Sequence, residues 1–186
     1  AHGARPHLGI NAIDGAVAAV NGINAIKTNP VVPASAKVTK LQGGGAALNA
    51  IPDKADLAVD LRAQNNQVME ELINKVKRAI EHGAAIVGAT ADVRITAGCP
   101  AAEYDAGLIE LAREAIRAVL GEQGLLEPIV TPGAEDFHHY VRKKPGLRAG
   151  YIGLGADLTP GLHHPEMKFN PDALPDGVAI LTYMVD

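Results

Sequence analysis

Two imidazoles stand side by side in Gly161-Leu162-His163-His164-Pro165, a Gly- and Pro-rich loop that follows the apolar stretch Tyr151–Leu154. Neutral imidazole is the commonest metal-binding side chain, and a loop after a strand can hold it at a sheet edge, where sites are usually built. Adjacent histidines point apart, so one ion cannot easily take both. A zinc site needs three or four ligands, and no Cys cluster or His-Glu pair elsewhere supplies the rest. On spacing alone the pair favours ordinary packing. In Pro132-Gly133-Ala134-Glu135-Asp136-Phe137-His138-His139-Tyr140, two carboxylates open a short helical stretch, where the helix dipole favours negative charge; His138 and His139 face apart and read as ordinary. The chain begins with His2, Arg5 and His7 crowded together. Asn49 and Arg62 could hold the amide and carboxylate of a small substrate, since a guanidinium meets a carboxylate in bidentate fashion. For Arg62, a cross-strand ion pair with an acidic residue such as Asp92 is an equal alternative. Gly43-Gly44-Gly45 lacks the strand-to-helix context of a phosphate loop and reads as a strand break leading to Asn49.

The elements that must position these residues follow from periodicity. Ile13, Val17, Val20 and Ile26 recur at helical spacing over about 10–28, before Asn29-Pro30 forbids continuation. Residues 36–41 alternate weakly, whereas Ala55–Ala63 alternates cleanly, with Leu57, Val59 and Leu61 on one face and Asp56, Ala58, Asp60 and Arg62 on the other. Val68, Leu72, Ile73, Val76 and Ile80 form one helical stripe, and residues 91–97 return to period two through Val93 and Ile95. Helix, strand, strand, helix, strand becomes βαββαβ if one strand precedes residue 1, with His2 at the end of that truncated strand. The character changes near Gly98-Cys99-Pro100. Beyond it the pattern predicts a long amphipathic helix (Leu108, Ile109, Leu111, Ala112, Ile116, Val119), a strand at 127–131, a short helix at 134–141 and a strand at 149–156. A last helix has Asn170 as its cap and Pro171 at its first position. Two domains are expected, 1–98 and 99–186, the second a fraction of an α/β layered sheet.

Composition bounds the function. The 186 residues are 47% hydrophobic, enough for one large domain or two small ones, with a net charge of -4. Six aromatic residues and no basic stripe give nucleic acid no platform. No apolar run approaches the roughly 20 residues that span a bilayer. The single Cys99 excludes an intrachain disulfide and fits a reducing, cytoplasmic setting.

In order and spacing, AHGARPHLGINAI, NAIPDKADLAVDLRA, GAEDFHHY, YIGLGA and GLHHPEMKFNPDAL resemble the dinuclear-metal amidohydrolases and peptidases of the aminoacylase and hippurate-hydrolase type. The resemblance covers essentially the whole chain. It implies a ferredoxin-like βαββαβ lid that dimerises, followed by the C-terminal part of an α/β zinc-peptidase catalytic domain. The upstream half, with most metal ligands and the general-base Glu, would lie outside this chain. It further implies that His2 reaches into the partner subunit's active site as an oxyanion donor, that Asn49 and Arg62 hold the substrate, and that His163 is the one metal ligand here. Glu135 and Asp136 match a supporting acidic motif. The complete enzyme would use two divalent ions, zinc or else manganese or cobalt, to hydrolyse N-acyl amino acids or small peptide-like amides with a free carboxylate, as a homodimer. A non-enzymatic dimerisation or regulatory module on the same lid is the alternative.

Overall fold

A computed structural model describes residues 1–126, 130–131 and 133–185, arranged in two compact units. The first comprises Ala1–Ala101 with residues 133–135, and the second takes the rest.

Helix α1 (Ala12–Asn24) starts where the Asn11 side chain accepts from the Ile13 amide (3.1 Å). It ends earlier than the apolar spacing suggests: the Ala25 and Ile26 amides bond back to Asn21 and Ile23, and Ile26 reaches the core from the loop beyond. Strands β1 (Ala34–Gly43) and β2 (Ala55–Ala63) form an antiparallel pair from Ala34↔Ala63 to Gly43↔Ala55, with a bulge at Thr39. Helix α2 (Asn66–Ile86) is capped by Asn65, whose side chain accepts from the Val68 amide (2.8 Å).

The alternation in β2 is realised as read: Leu57, Val59 and Leu61 turn inward with Ala34, Ala36 and Val38 of β1 onto Ile23, Leu72 and Val76. Val17 is exposed, because α1 presents Gly15, Ala19 and Ile23 instead. The reason lies in α2. A Cβ on Gly83 would sit 2.4 Å from the Ala19 backbone nitrogen, so the helices cross at a distance only small residues permit.

Two of the four strands of the expected lid sheet are therefore paired. Residues 91–97 take no ladder, and Ile95 is exposed. A strand needs neighbours for its backbone groups. In a βαββαβ sheet the first strand lies between the third and the last, and among the described residues that place is empty apart from the single bridge His2↔Ala50. The return path is anchored nonetheless: Asn66 at the start of α2 holds both the amide and the carbonyl of Ala101 (2.8 and 3.1 Å).

In the second unit, helix α3 (Ala106–Leu120) is capped by Asp105, which accepts from the Leu108 amide (2.9 Å) and donates its own amide to the Ala149 carbonyl. A 3-10 turn at Asp136–His138 runs into α4 (His139–Lys143). Asn170 caps the 3-10 turn Pro171–Ala173, which leads into α5 (Leu174–Val185), with Pro171 at the first position as the sequence predicts. Helix α5 packs against α3. Residues 149–156 form no ladder among the described residues; of the expected strand at 127–131, residues 127–129 lie outside those described. No described helix is long and apolar enough to cross a membrane.

Candidate active-site residues

Backbone bonding between the chain start and the β1–β2 connection brings two of the expected site residues together. Gly3 donates to the Asn49 carbonyl (2.7 Å) and Ile51 to the Ala1 carbonyl (2.8 Å), which lays residues 1–3 along residues 49–51. His2 Nε2 then lies 3.3 Å from the Asn49 side-chain amide. The Ala4 amide donates to His2 Nδ1 (3.0 Å), so in the neutral ring the proton sits on Nε2. Nε2–H is a donor, held by Asn49 when that amide turns its oxygen toward it, and both residues are exposed to an incoming group. The same connection lines a depression of about 400 Å³, between Gln42–Ala47 on one side and Ala50–Lys54 on the other.

Arg62 is not part of that arrangement. It sits opposite Ser35, at the end of the hairpin remote from the connection, roughly 20 Å along β2 from Ala55 at the usual strand rise. Its Nε donates to Asp60 (3.0 Å), two residues back on the same solvent-facing side. Asp92, the cross-strand alternative, is engaged by Arg94 instead (2.9 Å), and this contact raises the Arg94 guanidinium above its ordinary value.

In the second unit, His163 lies within a loop closed by the reciprocal Thr159–Lys168 backbone bonds (3.0 and 2.8 Å). Its φ of 65° places a non-glycine residue in the left-handed region, a conformation that costs energy and that loops retain where a side chain must be aimed. His164 is committed locally: its Nδ1 accepts from the Glu166 amide (3.1 Å), and its own amide donates to Gly161. The His163 imidazole takes no hydrogen bond among the described residues. The two neighbours that look alike in sequence are thus unlike in structure.

Sequence spacing gave no sign of the ring cluster around His138. Tyr104 (5.6 Å, edge-on), Tyr151 (6.0 Å) and Phe137 (6.1 Å) surround that imidazole, and Tyr140 lies 5.9 Å from Phe137. Four of the six Phe and Tyr residues meet here. They come from segments far apart in the chain, so no local pattern announces them, and His138 is a packed ring rather than an ordinary surface histidine.

Residues 1–87 match the peptidase dimerisation domain of the M20 hydrolases. The chain is an M20 homologue. It is 32% identical to a probable hydrolase of Synechocystis over 98% of its own length and 48% of the relative's. With the N-acetylcysteine deacetylase of Bacillus subtilis it shares 27% identity over 93% of its own length and 45% of that enzyme's. Among solved structures it superposes on the YXEP protein of Bacillus subtilis, described as a dinuclear metal-binding M20 peptidase, with a TM-score of 0.74 and 26% identity, over 94% of this chain and 45% of that one. The chain thus spans about half the length of the relatives it matches.

Within neither unit do three His, Cys, Asp or Glu ligand atoms converge among the described residues. His163 fits as one imidazole ligand, but a complete metal centre does not form from either unit's described side chains.

Proposed function

We propose that the chain is the lid and the C-terminal catalytic part, residues 1–98 and 99–186, of an amidohydrolase that cleaves N-acyl amino acids or small peptide-like amides bearing a free carboxylate. The observation that carries this reading is the His2–Asn49 pair, whose Nε2–H is oriented by the Ala4 amide and exposed for a developing oxyanion. A pre-aimed donor of that kind supplies a few kcal/mol to a tetrahedral transition state. The deacetylase relative acts on an N-acyl amino acid by name, which agrees with the substrate class.

Arg62 takes the substrate carboxylate, exchanging its exposed Asp60 partner for a bidentate one. Because Arg62 and the His2–Asn49 pair occupy opposite ends of one hairpin, they serve different copies of the active site: each site draws its guanidinium from one protomer and its imidazole from the other. That division requires the homodimer that a dimerisation domain supports. His163, the imidazole left unbonded, contributes one metal ligand, and the remaining ligands and the general base come from polypeptide beyond these 186 residues. Two divalent ions, zinc or else manganese or cobalt, would polarise the scissile carbonyl and activate water. The single Cys99 is in keeping with work in the cytoplasm.

The match of residues 1–87 to a dimerisation domain favours one alternative, a dimerisation module without its own chemistry. Metal analysis of the complete protein with a panel of N-acyl amino acids separates the two. Two equivalents of metal and turnover support the hydrolase; a folded dimer with neither supports the module. In the hydrolase, Arg62→Ala raises KM for carboxylate substrates far more than for their carboxamides, since the charge-assisted pair exists only with the former. Equal effects on both would remove Arg62 from the role.

A further inference from the structure

The three consecutive glycines at the end of β1 do not share one cause. A Cβ on Gly43 would meet Ile13 Cγ1 at 2.7 Å, so the strand end presses on α1. Gly44 has a φ of 84°, which glycine adopts without strain. Gly45 has neither constraint: its φ lies outside the left-handed region, and an added Cβ would meet no atom within 4 Å. The fold accepts a side chain at that position. Yet Gly45 lines the depression of about 400 Å³, a volume within the roughly 300–1,000 Å³ of small-molecule sites. Ala50, Ile51 and Pro52 line it from the other side, with the exposed Asp53, Lys54 and Asp56 beyond them, two carboxylates against one ammonium. Lys54 is paired with Asp56 (3.3 Å). The Ala50 amide donates to the Ala47 carbonyl (3.2 Å), closing a turn whose two ends both line the depression and whose corner carries Asn49, the neighbour of His2. The oxyanion donor therefore stands at the edge of this space.

We propose that the depression receives the acyl group of the substrate, an uncharged chain longer than acetyl, and that Gly45 sets how long that chain can be. The inference rests on the hydrolase reading above. In that reading the carboxylate end of the amide is held by Arg62 of one protomer and the carbonyl oxygen by His2 of the other. The acyl chain leaves the carbonyl carbon on the side away from the amino acid, and so runs toward the protomer that supplies His2. There the β1–β2 connection offers Gly45, Ala46 and Ala47 on one side of the depression and Ile51 and Pro52 on the other. Such walls suit a methylene chain, and each methylene taken out of water strengthens binding by up to about fourfold. The excess of carboxylate over ammonium at Asp53, Lys54 and Asp56 repels a succinyl or other anionic acyl group.

The test uses the complete protein with pairs of N-acetyl and N-hexanoyl derivatives of methionine, phenylalanine and cysteine. The hexanoyl member of a pair should be the better substrate. Gly45→Leu should lower the hexanoyl-to-acetyl ratio of kcat/KM about tenfold or more, with Gly45→Ala in between. Loss of folded enzyme lowers both rates alike and leaves the ratio where it was, so an unchanged ratio overturns the inference whatever the absolute rates. Crosslinking reads the site without turnover. An N-hexanoyl amino acid with a diazirine at the end of its chain should label residues 42–56, and excess unlabelled amide should compete. Labelling confined to other segments overturns the inference, and hydrolysis in the same preparation then leaves the hydrolase reading standing. Labelling of residues 42–56 without hydrolysis of any amide retains the acyl site and removes the hydrolase reading. Neither labelling nor hydrolysis removes both.

Discussion

In the first unit the hairpin lies over Ile23, Leu72 and Val76 and closes a two-layer core, while in the second the fully covered apolar side chains among the described residues are three alanines and Ile180. Most of the exposed large apolar side chains belong to the second unit, from Tyr104 to Val185. Both halves carry well-capped helices with apolar stripes, so helix quality is not what separates them. The first unit has a sheet against which its helices can bury those stripes. The second has α3 and α5 against each other and no described ladder beyond one bridge. Amphipathic elements become a core only when the opposing layer is present.

The strongest challenge to this contrast is Leu72→Ala, in a side chain that is 1% exposed. It should cost about 3 to 5 kcal/mol, and Ile180→Ala under half of that, because a core open on one side collapses around a smaller residue. Urea unfolding followed by far-UV circular dichroism reads both. Equal losses would mean that the second unit is as closed as the first.

Gly83→Ala should come next. The added Cβ would meet the Ala19 backbone at 2.4 Å, and main chain cannot step aside. The clash outweighs the roughly 1 kcal/mol that alanine gains in helix propensity, leaving a net loss of about 1 to 2 kcal/mol. A stabilised variant would show that α1 and α2 do not cross so closely.

The smallest effect belongs to Gly177→Ala in α5. Its Cβ would meet only the Cδ2 tip of Leu154, at 3.0 Å. That side chain can swing away, and the propensity gain should leave stability unchanged or raised by up to about 1 kcal/mol. A loss as large as that of Gly83→Ala would place rigid packing where the second unit is described as loose.

What could be read from the sequence follows the same division. The alternation in Ala55–Ala63 and the stripe of Val68, Leu72 and Val76 were legible because both faces of that contact lie within the chain. The strands expected at 91–97 and 149–156 were legible as patterns but did not pair, since alternation sets which face is apolar and says nothing of whether a neighbour is present to bond. Ile26 misled the helix boundary because a core residue just beyond a helix can mimic the helical repeat. Within the candidate site, His2 and Asn49 could be named from motif resemblance, yet the 3.3 Å approach of these residues, 47 positions apart, depends on the backbone bridge His2↔Ala50. The distinction between His163 and His164 lies in loop bonding that adjacent identical residues cannot reveal.

The claim at the centre of this account is that the His2–Asn49 pair and the rest of the site belong to different protomers. The most direct measurement uses the complete enzyme as two inactive variants, His2→Ala and His163→Ala, mixed under conditions that exchange subunits. His2→Ala should lower kcat about 100-fold or more with metal content intact, as loss of one oxyanion donor does. If each site takes His2 from its partner, a mixed dimer has one site with both histidines. Random exchange in a symmetric dimer then restores about a quarter of wild-type activity. No restoration in dimers verified as mixed would place His2 in its own subunit's site, or outside the chemistry altogether.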